Sequence, residues 1–149
     1  MSIVSVIILK LRQLNMADIL IYTDGGSRGN PGPSASGYVV NGKSYGKYLG
    51  KTTNNVAEYT AIQLGLETAL AESGSHAKQA SVEVRMDSQL AQRQLIGRYK
   101  MKNAGLRPIF DMIKKLCLDF KSVKFVHIPR EDNSVADAAV NKILDELKG

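Results

Sequence analysis

No two adjacent residues constrain this chain more than Asn41-Gly42. Asn-Gly is the strongest short signal for a β-hairpin, and here it sits inside "GYVVNGKSYGKYLG", between two strand-like runs. Residues 18–24 alternate and are rich in Ile and Tyr, which predicts a strand before the hairpin. Residues 52–73, "TTNNVAEYTAIQLGLETALAES", place Ala57, Ala61, Ile62, Leu66, Ala69 and Leu70 at helical spacing after it, behind a Thr or Asn cap. Three strands in a meander followed by a long helix are therefore written into the first half.

The second half changes rhythm. "ASVEVRMD" (80–87) alternates and ends on an acid, and "SQLAQRQLIG" reads as a short helix closed by Gly97. A helix starting near Pro108 aligns Ile109, Phe110, Ile113, Leu116, Cys117 and Phe120 on one side. "VKFVHIP" (123–129) is a fifth strand. A last helix over 133–147 carries Ala136, Ala139, Val140, Ile143, Leu144 and Leu147 as one apolar stripe. The order β-β-β-α-β-α-α-β-α predicts an α/β domain, a five-stranded mixed sheet flanked by helices.

The chain has 149 residues, enough for one domain with its own core, and we assign residues 17–149 to it. Residues 1–16 read as an extension ahead of a second methionine, Met16, or else as an added edge strand or a self-association segment. Their apolar run, Ile3 to Leu9, is too short to span a bilayer and lacks the flanks of a signal peptide. The single cysteine, Cys117, permits no internal disulfide and lies in an apolar stripe, so it reads as core. A soluble, cytoplasmic protein without membrane contact is expected, a monomer with no obligatory protein partner. A net charge of +6 fits a polyanionic partner.

With 14 acids in the chain, their placement can be weighed one by one. Asp24 and Asp87 fall at predicted strand ends, where open α/β sheets gather their chemistry. Asp137 lies in the first turn of the last helix, beside its apolar stripe. Glu58 has Ala61 and Ile62 as its i+3 and i+4 neighbours, so a carboxylate is drawn toward the core, which is costly unless something positive neutralises it. Taken singly, each has an ordinary explanation: Asp87 as a helix cap, Glu58 and Asp137 as partners of a helix dipole. Taken together, four hard oxygen donors without a Cys or His cluster suit Mg²⁺ or Mn²⁺ rather than zinc. Two such ions about 4 Å apart activate water and stabilise the leaving oxygen of a phosphodiester. Clustered carboxylates repel one another, so joint titration and loss of metal at low pH are expected.

The loop after the first strand, "GGSRGNPGPSASG", is not a nucleotide-binding loop. It lacks the G-K-[ST] ending of a P-loop, and its glycine spacing does not fit G-x-G-x-x-G. Gly25-Gly26 is expected to turn the chain beside Asp24.

"YTDGGSRGNPGPSASGY", "TTNNVAEYTA", "RMDSQ" and "HIPREDNSVADAAV" together resemble type 1 ribonuclease H, over essentially residues 18–147. The resemblance implies a metal-dependent endonuclease that hydrolyses the RNA strand of RNA/DNA hybrids, leaving 5′-phosphate and 3′-hydroxyl ends. It implies that Asp24, Glu58, Asp87 and Asp137 hold two Mg²⁺ ions (Mn²⁺ as a substitute), with Asp24 shared and Glu58 beside the ribose 2′-OH. Asn30, Asn54, Asn55 and Gln89 match positions that contact the hybrid's minor groove, and Thr53 one that holds a DNA phosphate. Amide side chains suit recognition by shape rather than by sequence. Helix capping is the plain alternative for "TTNN".

Two departures stand out. The interval from Asp87 to Asp137 is too short for the basic protrusion of many bacterial members. It keeps only a cationic stretch of Arg93, Arg98, Lys100, Lys102, Arg107, Lys114 and Lys115, from which weaker hybrid binding is expected. The assisting histidine of bacterial members has His127 as one counterpart, but this residue falls inside a strand pattern. The loop proper offers Arg130, which we favour as a group that holds the scissile phosphate or eases product departure, though not as a base. The main alternative function is a catalytically silent module of the same fold that only binds nucleic acid. A sugar-kinase-like nucleotide domain needs far more chain, and the TNN and GNPG motifs point away from resolvase or integrase cores.

Overall fold

Asn41 and Gly42 both adopt the left-handed conformation, with φ of 48° and 87°, so the turn between the second and third strands is the one the dipeptide encodes. The computed structural model describes residues 2–8 and 17–147. Three strands form the meander: β1 (Ile19–Ser27), β2 (Gly32–Val40) and β3 (Lys43–Thr52). Helix α1 (Asn54–Ser73) follows, then β4 (Ser81–Met86), α2 (Gln89–Leu95), α3 (Arg107–Cys117), β5 (Ser122–His127) and α4 (Ser134–Glu146).

The sheet runs β3-β2-β1-β4-β5. The β1–β2 and β2–β3 pairs are antiparallel, whereas β1–β4 and β4–β5 are parallel. The fold expected from the sequence, a five-stranded mixed sheet flanked by helices, is the fold observed. Alternate residues of β1 face opposite layers. Ile21 and Thr23 point toward Gly65 of α1, and Gly26 lies under Val140 of α4. The larger core gathers Ile19, Ile21, Val82 and Val84 from the sheet with Ile62 and Leu66 of α1 and Ile113 and Leu116 of α3. A smaller cluster under α4 holds Ala35, Val140 and Leu144, flanked by Ile143. Cys117 packs at the edge of the larger core, where burial pushes its thiol pKa up and Lys114 partly offsets the rise.

Several local expectations are corrected. β1 does not end at Asp24; it pairs with β2 as far as Ser27 opposite Ser34, so Gly25 and Gly26 are strand residues and make no turn. Their lack of a side chain serves close packing instead. Ser88, not Asp87, caps α2, its hydroxyl accepting from the Ala91 amide at 3.2 Å. Leu147 lies just past α4 and is half exposed, so the stripe of that helix ends at Leu144. Residues 3–8 are helical rather than an edge strand, with Ile3, Val4, Ile7 and Ile8 exposed. The expected boundary after residue 16 falls among residues 9–16, outside the described residues. Among the described residues no helix is long and apolar enough to cross a membrane.

Candidate active site

The parallel pairing of β1 with β4 ends at Thr23 opposite Met86. The next residue on each strand is an acid, so Asp24 and Asp87 emerge side by side where the two strands part. β1 keeps its antiparallel partner β2 beyond that point, which holds Asp24 on continuous sheet.

Glu58 reaches the same place from α1, and three local features put it there. The Thr53 side chain caps the helix, accepting from the Val56 amide at 3.3 Å. The buried Ser36 hydroxyl donates to the Ala57 carbonyl at 2.7 Å, pinning the first turn to β2. Gly25 admits the helix backbone so closely that a Cβ there would lie 2.3 Å from the Ala57 carbonyl carbon and the Glu58 nitrogen. Asp137 sits in the first turn of α4, its amide donating to the Asn133 carbonyl at 3.1 Å.

Asp24, Glu58, Asp87 and Asp137 thus come from four separate elements onto one cleft of about 300 Å³. Arg130, from the turn before α4, lines it too, as do Arg28, Asn54 and Asn141. The electrostatics are those of crowded acids. The Asp24 carboxyl is pushed up to about 8, mainly by burial, then by the charge of Asp87 and by a hydrogen bond and charge from Asp137. A hydrogen bond between two carboxyls requires a proton on one of them. Glu58 is also raised, chiefly by burial, with the Ser88 hydroxyl partly offsetting and Asp87 adding to the shift. Among the described residues, no three His, Cys, Asp or Glu side chains converge as a ready metal cage. The donor set nonetheless fits a hard divalent cation: four carboxylates and no softer ligand on one cleft, with mutual repulsion that a cation would relieve.

The residues expected to meet substrate are only partly gathered here. Asn54 lines the cleft, and its backbone N–H donates to the Asn30 Oδ1 at 3.1 Å, which ties the exposed loop around Asn30 to the start of α1. Asn55 and Gln89 are exposed at the first turns of α1 and α2 and do not line the cleft, and the Thr53 hydroxyl is engaged as a cap. His127 ends β5, exposed and away from the cleft lining. In the cationic stretch, Arg107 pairs with Asp111 at 3.1 Å and Lys114 donates to the Leu95 carbonyl, while Arg98, Lys100 and Lys102 are exposed.

Three cleft-side residues escape the sequence reading. Arg28 pairs with Asp145 at 2.8 Å, and Asn141 donates to Asp137 at 3.2 Å. Asn133 is buried against Asp87. The i+4 spacing of Asp137 and Asn141 was the one available signal; the other contacts exist only once α4 is docked.

A family model described as Reverse transcriptase-like matches residues 23–143. Ribonuclease HI of Halobacterium salinarum is 40% identical over 84% of this chain and 63% of its own length. A bifunctional protein of Mycobacterium tuberculosis is 35% identical over 85% of this chain, which spans about a third (35%) of that relative. Among solved structures, LC11 ribonuclease H1, isolated from compost by a metagenomic approach, was determined in complex with an RNA/DNA hybrid. It is 42% identical, covers 89% of this chain and 100% of its own, and superposes with a TM-score of 0.82. With the family model matched over most of the chain's length, and with superposition and identity at this level, the chain belongs to the Reverse transcriptase-like family and, within it, to the type 1 ribonucleases H.

Proposed function

We propose that the chain is an endoribonuclease that cuts the RNA strand of RNA/DNA hybrids, leaving 5′-phosphate and 3′-hydroxyl ends. The observation that carries this reading is the convergence of four acids, from β1, α1, the end of β4 and α4, on one cleft, where burial first and the neighbouring acids second push the Asp24 carboxyl up to about 8. A silent binding module would have no use for that arrangement, because crowded carboxylates cost stability and repel a polyanion. The hybrid bound by the LC11 relative supplies the substrate class.

Asp24, Glu58, Asp87 and Asp137 would hold Mg²⁺, with Mn²⁺ as a substitute. Bound there, divalent ions lower the pKa of water and neutralise charge that develops on the phosphate. The protein's own residues do the rest. Asp24, fixed on continuous sheet, would offer its carboxylate to such an ion from the centre of the cleft. Glu58, held by the pinned first turn of α1, accepts the ribose 2′-hydroxyl, which tells RNA from DNA. Asn30, Asn54, Asn55 and Gln89 would meet the minor groove, and Thr53 a phosphate of the DNA strand. Arg130 at the rim offers a fixed fork of donors to the scissile phosphate. We read the catalytic unit as a monomer that works in a reducing, cytoplasmic setting.

The test is a substrate panel: hybrid, single-stranded RNA, double-stranded RNA and DNA duplex, each with Mg²⁺ and with EDTA. Hybrid cleavage confined to the RNA strand and abolished by EDTA is expected; cutting of DNA duplex or metal-independent cleavage contradicts the reading. On the rim, Arg130→Ala should lower hybrid cleavage by about 10-fold or more, in line with the loss of a charge-assisted contact to phosphate. His127→Ala should change it less than about twofold. Larger loss at His127 would assign the assisting role to the strand end instead.

A further inference from the structure

We propose that Asn133 is a positioning residue that sets the orientation of Asp87 relative to Asp24. The inference deepens the hydrolytic reading above and rests on it for the role of the two acids. Asn133 is 1% exposed and stands immediately before α4, where an Asn side chain ordinarily turns back to cap the helix. It does not do so: no cap hydrogen bond from its side chain exists. The Nδ2 amide instead reaches into the sheet, donating to the Thr23 carbonyl at 2.9 Å and, over a longer 3.3 Å, to Asp87 Oδ2.

Both of these neighbours are acceptors when Asp87 is ionised, so only the NH₂ end of the amide can face them. That orientation has a cost. The Oδ1 atom is left buried without a partner, a penalty folding would avoid by using the oxygen as a cap. A side chain that gives up its capping bond and orphans an oxygen is held by what its nitrogen does. Through its backbone the same residue accepts the Asp137 amide at 3.1 Å. Asn133 therefore touches the residue before Asp24, the carboxylate of Asp87 and the amide of Asp137.

An amide suits this task because it donates without adding charge. It fixes one carboxylate oxygen of Asp87 and leaves the negative charge of the cleft intact for a cation. Lys or Arg would neutralise that charge, and Asp would add a repelling acceptor.

The test compares wild type with Asn133→Ala and with Asn133→Asp, which keeps the size should the first fail to fold. Each is titrated calorimetrically with Mn²⁺ in the absence of nucleic acid and assayed for kcat and KM on hybrid. Expected are Mn²⁺ affinity weakened by about 10- to 100-fold and kcat lowered to a similar degree, as when a group that orients a metal ligand is lost. KM for the hybrid should stay within about twofold. A lower melting temperature with unchanged Mn²⁺ affinity and unchanged kcat would make Asn133 a structural residue only and overturn the proposal. If wild type binds Mn²⁺ but does not cut hybrid, the functional reading fails while the Mn²⁺ comparison still decides the positioning. If wild type binds no Mn²⁺, both fall.

Discussion

Asp24→Asn is expected to abolish hybrid cleavage, by at least about 10³-fold, and at the same time to make the cation-free protein more stable at pH 8. The two effects share a cause. In the folded chain the Asp24 carboxyl is raised from the ordinary 3.8 to about 8 by burial, by the charge of Asp87 and by Asp137. The protonated form is thus the one that folding favours. The stability it contributes is fully present below pH 3.8 and is lost progressively as pH climbs from there to about 8. An amide at this position never ionises, so the loss disappears. The gain at pH 8 should be on the order of 1–3 kcal/mol after allowance for solvent screening of a partly exposed group. Thermal melts in EDTA at pH 5 and pH 8 measure it: the variant and wild type should differ little at pH 5 and clearly at pH 8. Adding Mg²⁺ should stabilise wild type and leave the variant nearly unmoved. A variant that is less stable at pH 8, or that still cuts, would remove Asp24 from the centre of the site.

The second large effect is steric. Gly25→Ala should destabilise the fold by about 3 kcal/mol or more, because the new methyl would sit 2.3 Å from the backbone of Ala57 and Glu58. No side-chain rotamer relieves a clash with main chain. The helix must move away from β1, the Ser36 hydroxyl must release the Ala57 carbonyl, and Glu58 must leave the cleft. Chemical denaturation gives the stability, and the residual activity of the folded fraction gives the displacement of Glu58. Gly42→Ala is a useful contrast: its Cβ meets nothing within 4 Å, so only the strain of a φ of 87° is felt, about 1 kcal/mol. Equal losses at the two positions would mean that the close approach at Gly25 does not matter.

These two glycines show what the sequence could and could not disclose. Gly42 is legible because its meaning is local: a residue beside Asn41, between alternating runs, with a conformation only a turn requires. The strand and helix order, the Thr53 cap of α1 and three of the four helix faces were legible for the same reason. Gly25 was misread as a turn, since the reason for its small size lies in a helix more than thirty residues further along the chain. The four acids were legible only in combination. Each alone fits a cap or a helix dipole, and their shared cleft appears once β1, β4 and α4 are in register. Thr53 shows the reverse limit, for its capping hydrogen bond is observed while its expected contact to a DNA phosphate has no counterpart within the protein. Asn133 lay in plain sight within "REDNSVAD", but nothing in the string says that its amide faces inward.

The split pairing of β1 has a consequence for how the polypeptide is made. Its partner β2 is joined to it by a four-residue loop, whereas the Asn133 contact to Thr23 spans 110 positions. Local pairings close early and distant ones late, because chain entropy taxes long loops. On the ribosome, the meander and α1 can therefore assemble, with Asp24 and Glu58 in place, before β4 and α4 have been translated. The mutual repulsion of the carboxylates then weighs on the final docking of α4, not on the nucleus. The last helix is, on this account, released more readily than the meander and α1, and amide hydrogen exchange in EDTA should find α4 opening ahead of β1, β2 and α1.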